Sequence, residues 1–397
     1  MQVTPTLAAT PAPPVMEARR WIEGVAFPAD RPLLNLSQAA PADPPPEPLR
    51  RAIAEIALTD AEAHLYGPVL GLPELRARVA ADWSRAYSGD VAPAQVAITS
   101  GCNQAFTAAI ATLAGPGDNV ILPAPWYFNH RMWLQMSGVA PRVLEAGADL
   151  LPDAEAAAAL IDDRTRAIVL VSPNNPGGVE YPAATLAAFR DLARSRGIAL
   201  IVDETYRDFD ARDGAPHDLF ADPDWDDTLI QLYSFSKAYR LTGHRVGAIC
   251  ASPARLAEVE KWLDTVTICP NSIGQRAALW GMENLSDWLA GERREILARR
   301  AAMIDGFTAL PDWTLLGCGA YFAYVRHPFD APSDDVARDL VRRASLLVLP
   351  GTMFGPLRAE GGTGRAEATL RIAFANADLA GITTLFDRLA EVSRGAP

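Results

Sequence analysis

Residues 167–203 open with Ala167-Ile168-Val169-Leu170-Val171-Ser172-Pro173-Asn174-Asn175-Pro176-Gly177-Gly178 and close with Gly197-Ile198-Ala199-Leu200-Ile201-Val202-Asp203. The five apolar residues from Ala167 to Val171 show no alternation with polar ones, so they read as a strand buried on both faces. Leu186 to Arg196 carries apolar residues at helical spacing and stops at Gly197, a common residue just past a last turn. Ala199 to Val202 is a second buried strand. Two strands joined through a helix are a parallel pair, because an antiparallel pair needs only a tight turn.

The pattern repeats on both sides. Val96 to Ser100 predicts a strand and Asn103 to Leu113 a helix. Asn119 to Leu122 predicts a strand, followed by a helix near Tyr127 to Met136. Leu229 to Tyr233 and Val246 to Cys250 predict two more strands, then a helix from Pro253 to about Val266. The fold class is α/β, with a mostly parallel sheet in a large three-layer domain. The tail differs: strands Tyr321 to Val325, Leu346 to Leu349 and Thr369 to Phe374 alternate with helices Asp335 to Ala344 and Leu379 to Val392. That predicts a smaller α/β domain, with Arg293 to Phe307 as the bridge. Residues 1–15 read as a flexible arm, 46–285 as the large domain, and 16–45 with 286–397 as the small one. Met16 to Val25 suits a short helix, and the five prolines in Pro41 to Pro48 hold that stretch extended.

Totals exclude several functions. The chain has 397 residues, 49% hydrophobic and 21% charged, as in ordinary globular proteins. A net charge of −12 argues against nucleic acid or an anionic membrane as partner. Cys102, Cys250, Cys269 and Cys318 form no CxxC pair, and the five histidines show no metal-ligand spacing, so no metal site is expected. No apolar run approaches a membrane span, and a reduced, cytoplasmic setting follows.

Four loops at strand ends carry the chemistry, and in an open α/β sheet the carboxyl ends of the strands are where ligands gather. Of 36 basic residues only Lys237 and Lys261 are lysine. Lys237 lies in Ser234-Phe235-Ser236-Lys237-Ala238-Tyr239-Arg240-Leu241-Thr242-Gly243-His244-Arg245-Val246-Gly247. A lysine amine can lose its proton and attack a carbonyl, whereas a guanidinium stays charged. Ser234, Ser236 and Arg245 beside it suit a phosphate. Thr99-Ser100-Gly101-Cys102-Asn103-Gln104 is a glycine turn feeding a helix N-terminus, which also suits a phosphate, although many strand-to-helix turns look alike. Ser172 to Gly178 presents two asparagines in a stiff turn and equally fits an ordinary Asn-Pro-Gly turn. Asp203, in Asp203-Glu204-Thr205-Tyr206, ends an apolar strand, where a carboxylate is costly unless it meets a cation or caps a helix. An aldehyde site, a phosphate site and a carboxylate for a ring nitrogen together match pyridoxal 5'-phosphate.

With these motifs the chain resembles the class I/II aminotransferases of the fold-type I pyridoxal-phosphate family. The resemblance runs from about Leu33 to Leu389 and includes Tyr66-Gly67-Pro68-Val69-Leu70-Gly71-Leu72-Pro73-Glu74-Leu75-Arg76 and Leu370-Arg371-Ile372-Ala373-Phe374. It implies that 46–285 is the cofactor-binding domain and Lys237 the Schiff-base lysine and proton shuttle of a ping-pong reaction between an α-amino acid and a 2-oxo acid. It implies Asp203 for the pyridinium nitrogen, Asn175 and Tyr206 for the phenolic oxygen, and Gly101, Cys102, Asn103, Ser234, Ser236 and Arg245 for the phosphate. Tyr127 falls where the family stacks an aromatic ring, with Trp126 as the substitute. Tyr66 resembles the tyrosine that reaches the neighbouring subunit's phosphate, which implies a homodimer with shared sites. Arg371 matches the clamp for the substrate α-carboxylate. Two departures stand out: Asn175-Pro176-Gly177-Gly178 replaces Asn-Pro-Thr-Gly, and Ala40 stands where a glycine near the substrate is usual. The same motifs serve carbon–sulfur β-lyases and aminocyclopropane-carboxylate synthases. A non-catalytic cofactor-binding sensor is a third reading, set against the acidic charge and the lack of room for a DNA-binding module.

Overall fold

The computed structural model describes residues 2–41 and 43–394. Seven strands form the large sheet: β1 Val96–Thr99, β2 Asn119–Ala124, β3 Ala140–Glu145, β4 Thr165–Val171, β5 Ala199–Asp203, β6 Leu229–Ser234 and β7 Gly247–Cys250. Their spatial order is β1-β7-β6-β5-β4-β2-β3. The pairs from β6 through β3 are parallel, while β7 runs antiparallel to both β6 and β1.

Helices cover both faces, so successive residues of a central strand enter two different cores. Ile168, Leu170, Leu200 and Val202 pack into one, with Leu75, Phe189 and Trp83. Val169 and Ile201 pack into the other, with Phe106, Ile110 and Leu256. The crossover helix Ala183–Arg196 ends on Gly197 at φ 63°, a left-handed position that glycine takes without a Cβ clash. The sequence reading did not include β3. Its residues Ala-Pro-Arg-Val-Leu-Glu lie at the sheet edge and are only partly buried, so no continuous apolar run marks them.

A second sheet has β8 Thr314–Gly319, β9 Phe322–Arg326, β10 Leu349–Pro350 and β11 Thr369–Ile372, in the order β10-β11-β9-β8. The stretch expected as one strand over Leu346 to Leu349 is two. Leu346–Leu347 pairs parallel with Leu34–Asn35, and Leu349–Pro350 joins β11. The long helix Ser286–Thr308 connects the two sheets' layers. β8 was not anticipated, because Thr314 to Gly319 mixes exposed and buried positions around two glycines.

Register places the site. Val171 sits opposite Asp203, Asp203 opposite Leu232, and Gly247 opposite both Ser234 and Thr99. Because β7 is antiparallel, its beginning lies at the edge where β1, β4, β5 and β6 end. The turns carrying Gly101, Asn175, Asp203, Lys237 and Arg245 therefore meet along one rim. Residues 36–39 cross above it, since Leu36 N donates to Leu347 O at 2.8 Å and Ala373 N to Leu36 O at 2.8 Å.

Candidate active site

A cavity of about 360 Å³ opens at that rim. Cys102, Asn103, Tyr127, Asn175, Asp203, Tyr206, Ser234, Ser236, Lys237, Arg245 and Arg371 all line it. Gly101, Ala40, Trp126 and Tyr66 do not. Gly101 is the floor under Arg245, since a Cβ there would lie 2.2 Å from Arg245 Nη2. Beside Lys237 the wall is Gln38 and Ala39, not Ala40. Trp126 is buried and faces a neighbouring pocket under the N-terminal segment, which leaves Tyr127 as the aromatic side chain of the pair in the cavity. Tyr66 is 82% exposed.

Lys237 lies in the short helix Phe235–Ala238 that directly follows β6. Its Nζ donates to Ala39 O at 2.5 Å and sits 5.8 Å from the Tyr206 ring. Burial, then the nearby guanidinia of Arg245 and Arg371, pull its amine down to about 8. A lysine held there is partly neutral near pH 7.

Asp203 is the last residue of β5 and 3% exposed. Its Oδ1 accepts from Thr205 N at 2.9 Å, and its Oδ2 lies 3.3 Å from His130 Nε2. Burial pushes the carboxyl up, but His130 close beside it and the Thr205 donors outweigh it and hold it below the usual range. The next residue, Glu204, points through the opposite face and meets Tyr87, Gln231 and His217. The motif Asp203-Glu204-Thr205-Tyr206 thus divides between the site and a structural network.

Arg245 has φ 52°, a left-handed backbone rare for arginine, fixed between Gly243 and β7. Its Nη1 donates to Thr242 O at 3.1 Å and to Ser236 Oγ at 3.5 Å. A Cβ on Gly247 would lie 2.6 Å from Cys102 N, so glycine lets the start of β7 press against the N-terminus of helix Cys102–Ala111. Backbone N–H groups, serine hydroxyls and a guanidinium converge there, the donor set a phosphate needs.

Arg371 on β11 is 1% exposed, between the rings of Phe322 and Phe354. Its Nη1 donates to Asn175 Oδ1 at 3.0 Å and its Nη2 to Ser37 O, while Nε is buried without a partner. Burial pulls it down to about 10, opposed by Tyr206 and Tyr127. A buried guanidinium held only by neutral oxygens is ready for a carboxylate.

Several residues in and behind the cavity wall carry no signal in the sequence motifs. His130, 1% exposed, stacks on Phe106 at 3.9 Å and stands behind Asp203. Its position three residues after Tyr127 was the available signal. Asn129 Nδ2 donates to Tyr127 Oη at 2.9 Å, and Tyr127 Oη donates to Asn103 Oδ1 at 3.3 Å. Pro13, Val15, Met16 and Arg19 also line the cavity. The segment 1–15, read as a flexible arm, holds helix Pro5–Ala8, and the short helix expected over Met16 to Val25 runs instead from Pro14 to Arg20. Ala18 is fully buried in a small core with Phe128, Met132 and Phe354.

A family profile described as aminotransferase class I and II matches residues 31–389. The chain is 30% identical over 334 residues to an aromatic aminotransferase of Arabidopsis thaliana, covering 81% of this chain and 82% of the relative. It is 31% identical over 363 residues to an arginine–pyruvate transaminase of Pseudomonas aeruginosa, covering 88% and 91%. The solved Thermus thermophilus aspartate aminotransferase with maleate superposes with a TM-score of 0.87 at 23% identity, over 99% of this chain and all of that one, a likeness of fold. The chain belongs to the class I and II aminotransferases. It is a pyridoxal-phosphate-dependent enzyme, and these named relatives favour neither the β-lyase nor the synthase reading.

Proposed function

We propose that this aminotransferase moves an amino group between an α-amino acid and a 2-oxo acid, in two half-reactions at the cavity around Lys237. The observation that carries the reading is one cavity lined by Lys237, the buried carboxylate of Asp203 and the buried Arg371, whose guanidinium has no carboxylate partner. Pyridoxal phosphate, when bound, supplies an aldehyde that condenses with amines and a protonated ring that draws electrons from the substrate Cα. Asp203, braced by His130, would face the ring nitrogen. Asn175 and Tyr206 would face the phenolic oxygen, and Tyr127 the ring. Arg245, Ser234, Ser236 and the N–H groups after Gly101 would hold the phosphate.

Arg371 orients the substrate by its α-carboxylate. Neutral Lys237 Nζ would take the proton from Cα and deliver it to the cofactor's former aldehyde carbon. The buried side chains of Tyr206 and Val171 line the cavity beside Lys237. A panel of amino and oxo acids on the purified enzyme tests this. Oxo-acid release that requires an amino acceptor supports it. Ammonia and pyruvate released without an acceptor would point to β-elimination.

We further propose a homodimer. Leu65 and Tyr66 are 58% and 82% exposed, and Val266 and Ile268 are 56% and 44% exposed. Gly67 N donates to Cys269 Sγ at 3.4 Å, which brings the two stretches into one apolar patch. Such a face suits a second copy of the chain, and it would carry Tyr66 toward the partner's site. Residues 46–285 would form the cofactor-binding domain, with 16–45 and 286–397 forming the small one. The four cysteines are free, which supports a cytoplasmic setting. No helix among the described residues is long and apolar enough to cross a membrane.

A further inference from the structure

A second cavity, of about 400 Å³, is built on the same segments as the active site. Tyr233 and Ser234 are successive residues of β6 and face opposite sides, so Ser234 lines the first cavity and Tyr233 the second. Likewise Tyr206 lines the first and Arg207 the second, and Lys237 the first and Tyr239 the second. Helices Pro73–Ala86, Ser272–Asn284 and Ser286–Thr308 close the second cavity with Trp83, Met282 and Leu289. No residue lines both cavities, and the proposed function uses none that lines the second.

Charge in the second cavity does not balance. Four arginines, Arg78, Arg85, Arg207 and Arg293, line it against two carboxylates, Asp82 and Asp208. In a chain of net charge −12 that is a local positive spot. Asp82 is held by Arg78 at 2.8 Å and by Arg85 at 3.1 Å. Asp208 accepts from Tyr233 Oη at 2.7 Å. Arg293 donates to the carbonyls of Asp210, Ala211 and Arg212 and pairs with Asp213. Arg207 is different. Among the described residues its guanidinium forms no hydrogen bond or ion pair, and Nη1 is buried without a partner. Aromatic rings cover it instead, with centres 4.0 Å away in Trp83 and 4.6 Å away in Tyr87. Rings satisfy the faces of a guanidinium and leave its in-plane N–H donors without an acceptor. A carboxylate approaching edge-on supplies that acceptor.

We infer that this cavity binds a small aromatic carboxylate, separate from the substrate, with its anion on Arg207 and its ring against Tyr239, Met282 and Leu289. The anion follows from the unpaired cation. The ring follows from the walls, which are aromatic and apolar around that one free charge.

Calorimetry on the Arg371→Ala holoenzyme, in which the first cavity has lost its carboxylate anchor, tests this with 3-phenylpropionate as probe. Binding with a Kd of about 1 mM or tighter is expected. The alcohol 3-phenylpropan-1-ol keeps the ring without the charge, and butyrate keeps the charge without the ring. Each is expected to bind about 10-fold more weakly or worse. Arg207→Met in the same background lowers the affinity for 3-phenylpropionate about 10- to 100-fold. Ala290→Trp, at an exposed helix position on the cavity wall, fills the space without removing a packed atom and gives a comparable loss. If Arg207→Met does not fold, Ala290→Trp decides alone. No binding of 3-phenylpropionate at about 10 mM, or an affinity that either substitution leaves unchanged, overturns the inference. Equal affinity for the acid and the alcohol overturns it as well, because Arg207 would then hold no anion.

Discussion

Replacing Lys237 with methionine should make the cofactor-free protein more stable at neutral pH, and the gain should vanish at high pH. Burial and the guanidinia of Arg245 and Arg371 hold the amine at about 8, whereas an ordinary lysine titrates near 10.5. In the unfolded chain the amine is protonated up to that ordinary value. In the fold it is protonated only below about 8. Between the two, unfolding takes up a proton, so stability rises with pH across that window. Below it the fold carries the full cost of a buried ammonium, roughly 3 kcal/mol from the size of the displacement. Methionine keeps a similar length and carries no charge. Urea unfolding of both proteins at pH 7 and pH 10.5 measures the difference directly. Lys237→Met is expected to exceed wild type by up to about 3 kcal/mol at pH 7 and to match it at pH 10.5. A difference of the same size at both pH values would refute the argument, because packing does not titrate. The same stored cost makes the amine a usable base, a trade of stability for reactivity.

Other consequences follow from the same geometry. Lys237→Arg keeps the charge but cannot form an imine, so that variant should fold yet lose the visible absorbance of lysine-bound cofactor and lose turnover; an unchanged absorbance band would remove Lys237 from its role. Asp203→Ala should lower kcat by roughly 10²- to 10⁴-fold, because a salt bridge in a dry site is at stake; steady-state rates with saturating cofactor check it. Arg371→Ala should weaken binding of amino acids by about 100-fold and of simple amines far less; equal losses in a spectral titration would take Arg371 out of carboxylate recognition. Gly247→Ala sets a Cβ 2.6 Å from Cys102 N and should cost about 1–3 kcal/mol, read as a lower urea midpoint.

Much of the molecule was legible in one dimension because its signals are local. Runs such as Ala167 to Val171 and Ala199 to Val202 have the length and composition of doubly buried strands. Sparse lysine made Lys237 conspicuous, and turn residues marked the loops at the strand ends. Edge strand β3 and the mixed strand β8 escaped because partly buried strands carry no unbroken apolar run. The division of Leu346 to Leu349 between two ladders depends on which partners lie beside it, Leu34–Asn35 in one case and β11 in the other.

The sequence by itself determined the α/β class, the order of the cofactor loops and the chemical kind of each principal side chain, since these follow from composition and short-range periodicity. Only the tertiary structure decided which side chains share a cavity. It set His130 behind Asp203, put Ala39 rather than Ala40 beside Lys237, and brought Pro13, Val15, Met16 and Arg19 to the cavity wall. The reason is physical: those contacts join segments far apart in the chain, and proximity across such distances is fixed by packing and register rather than by any local pattern of residues.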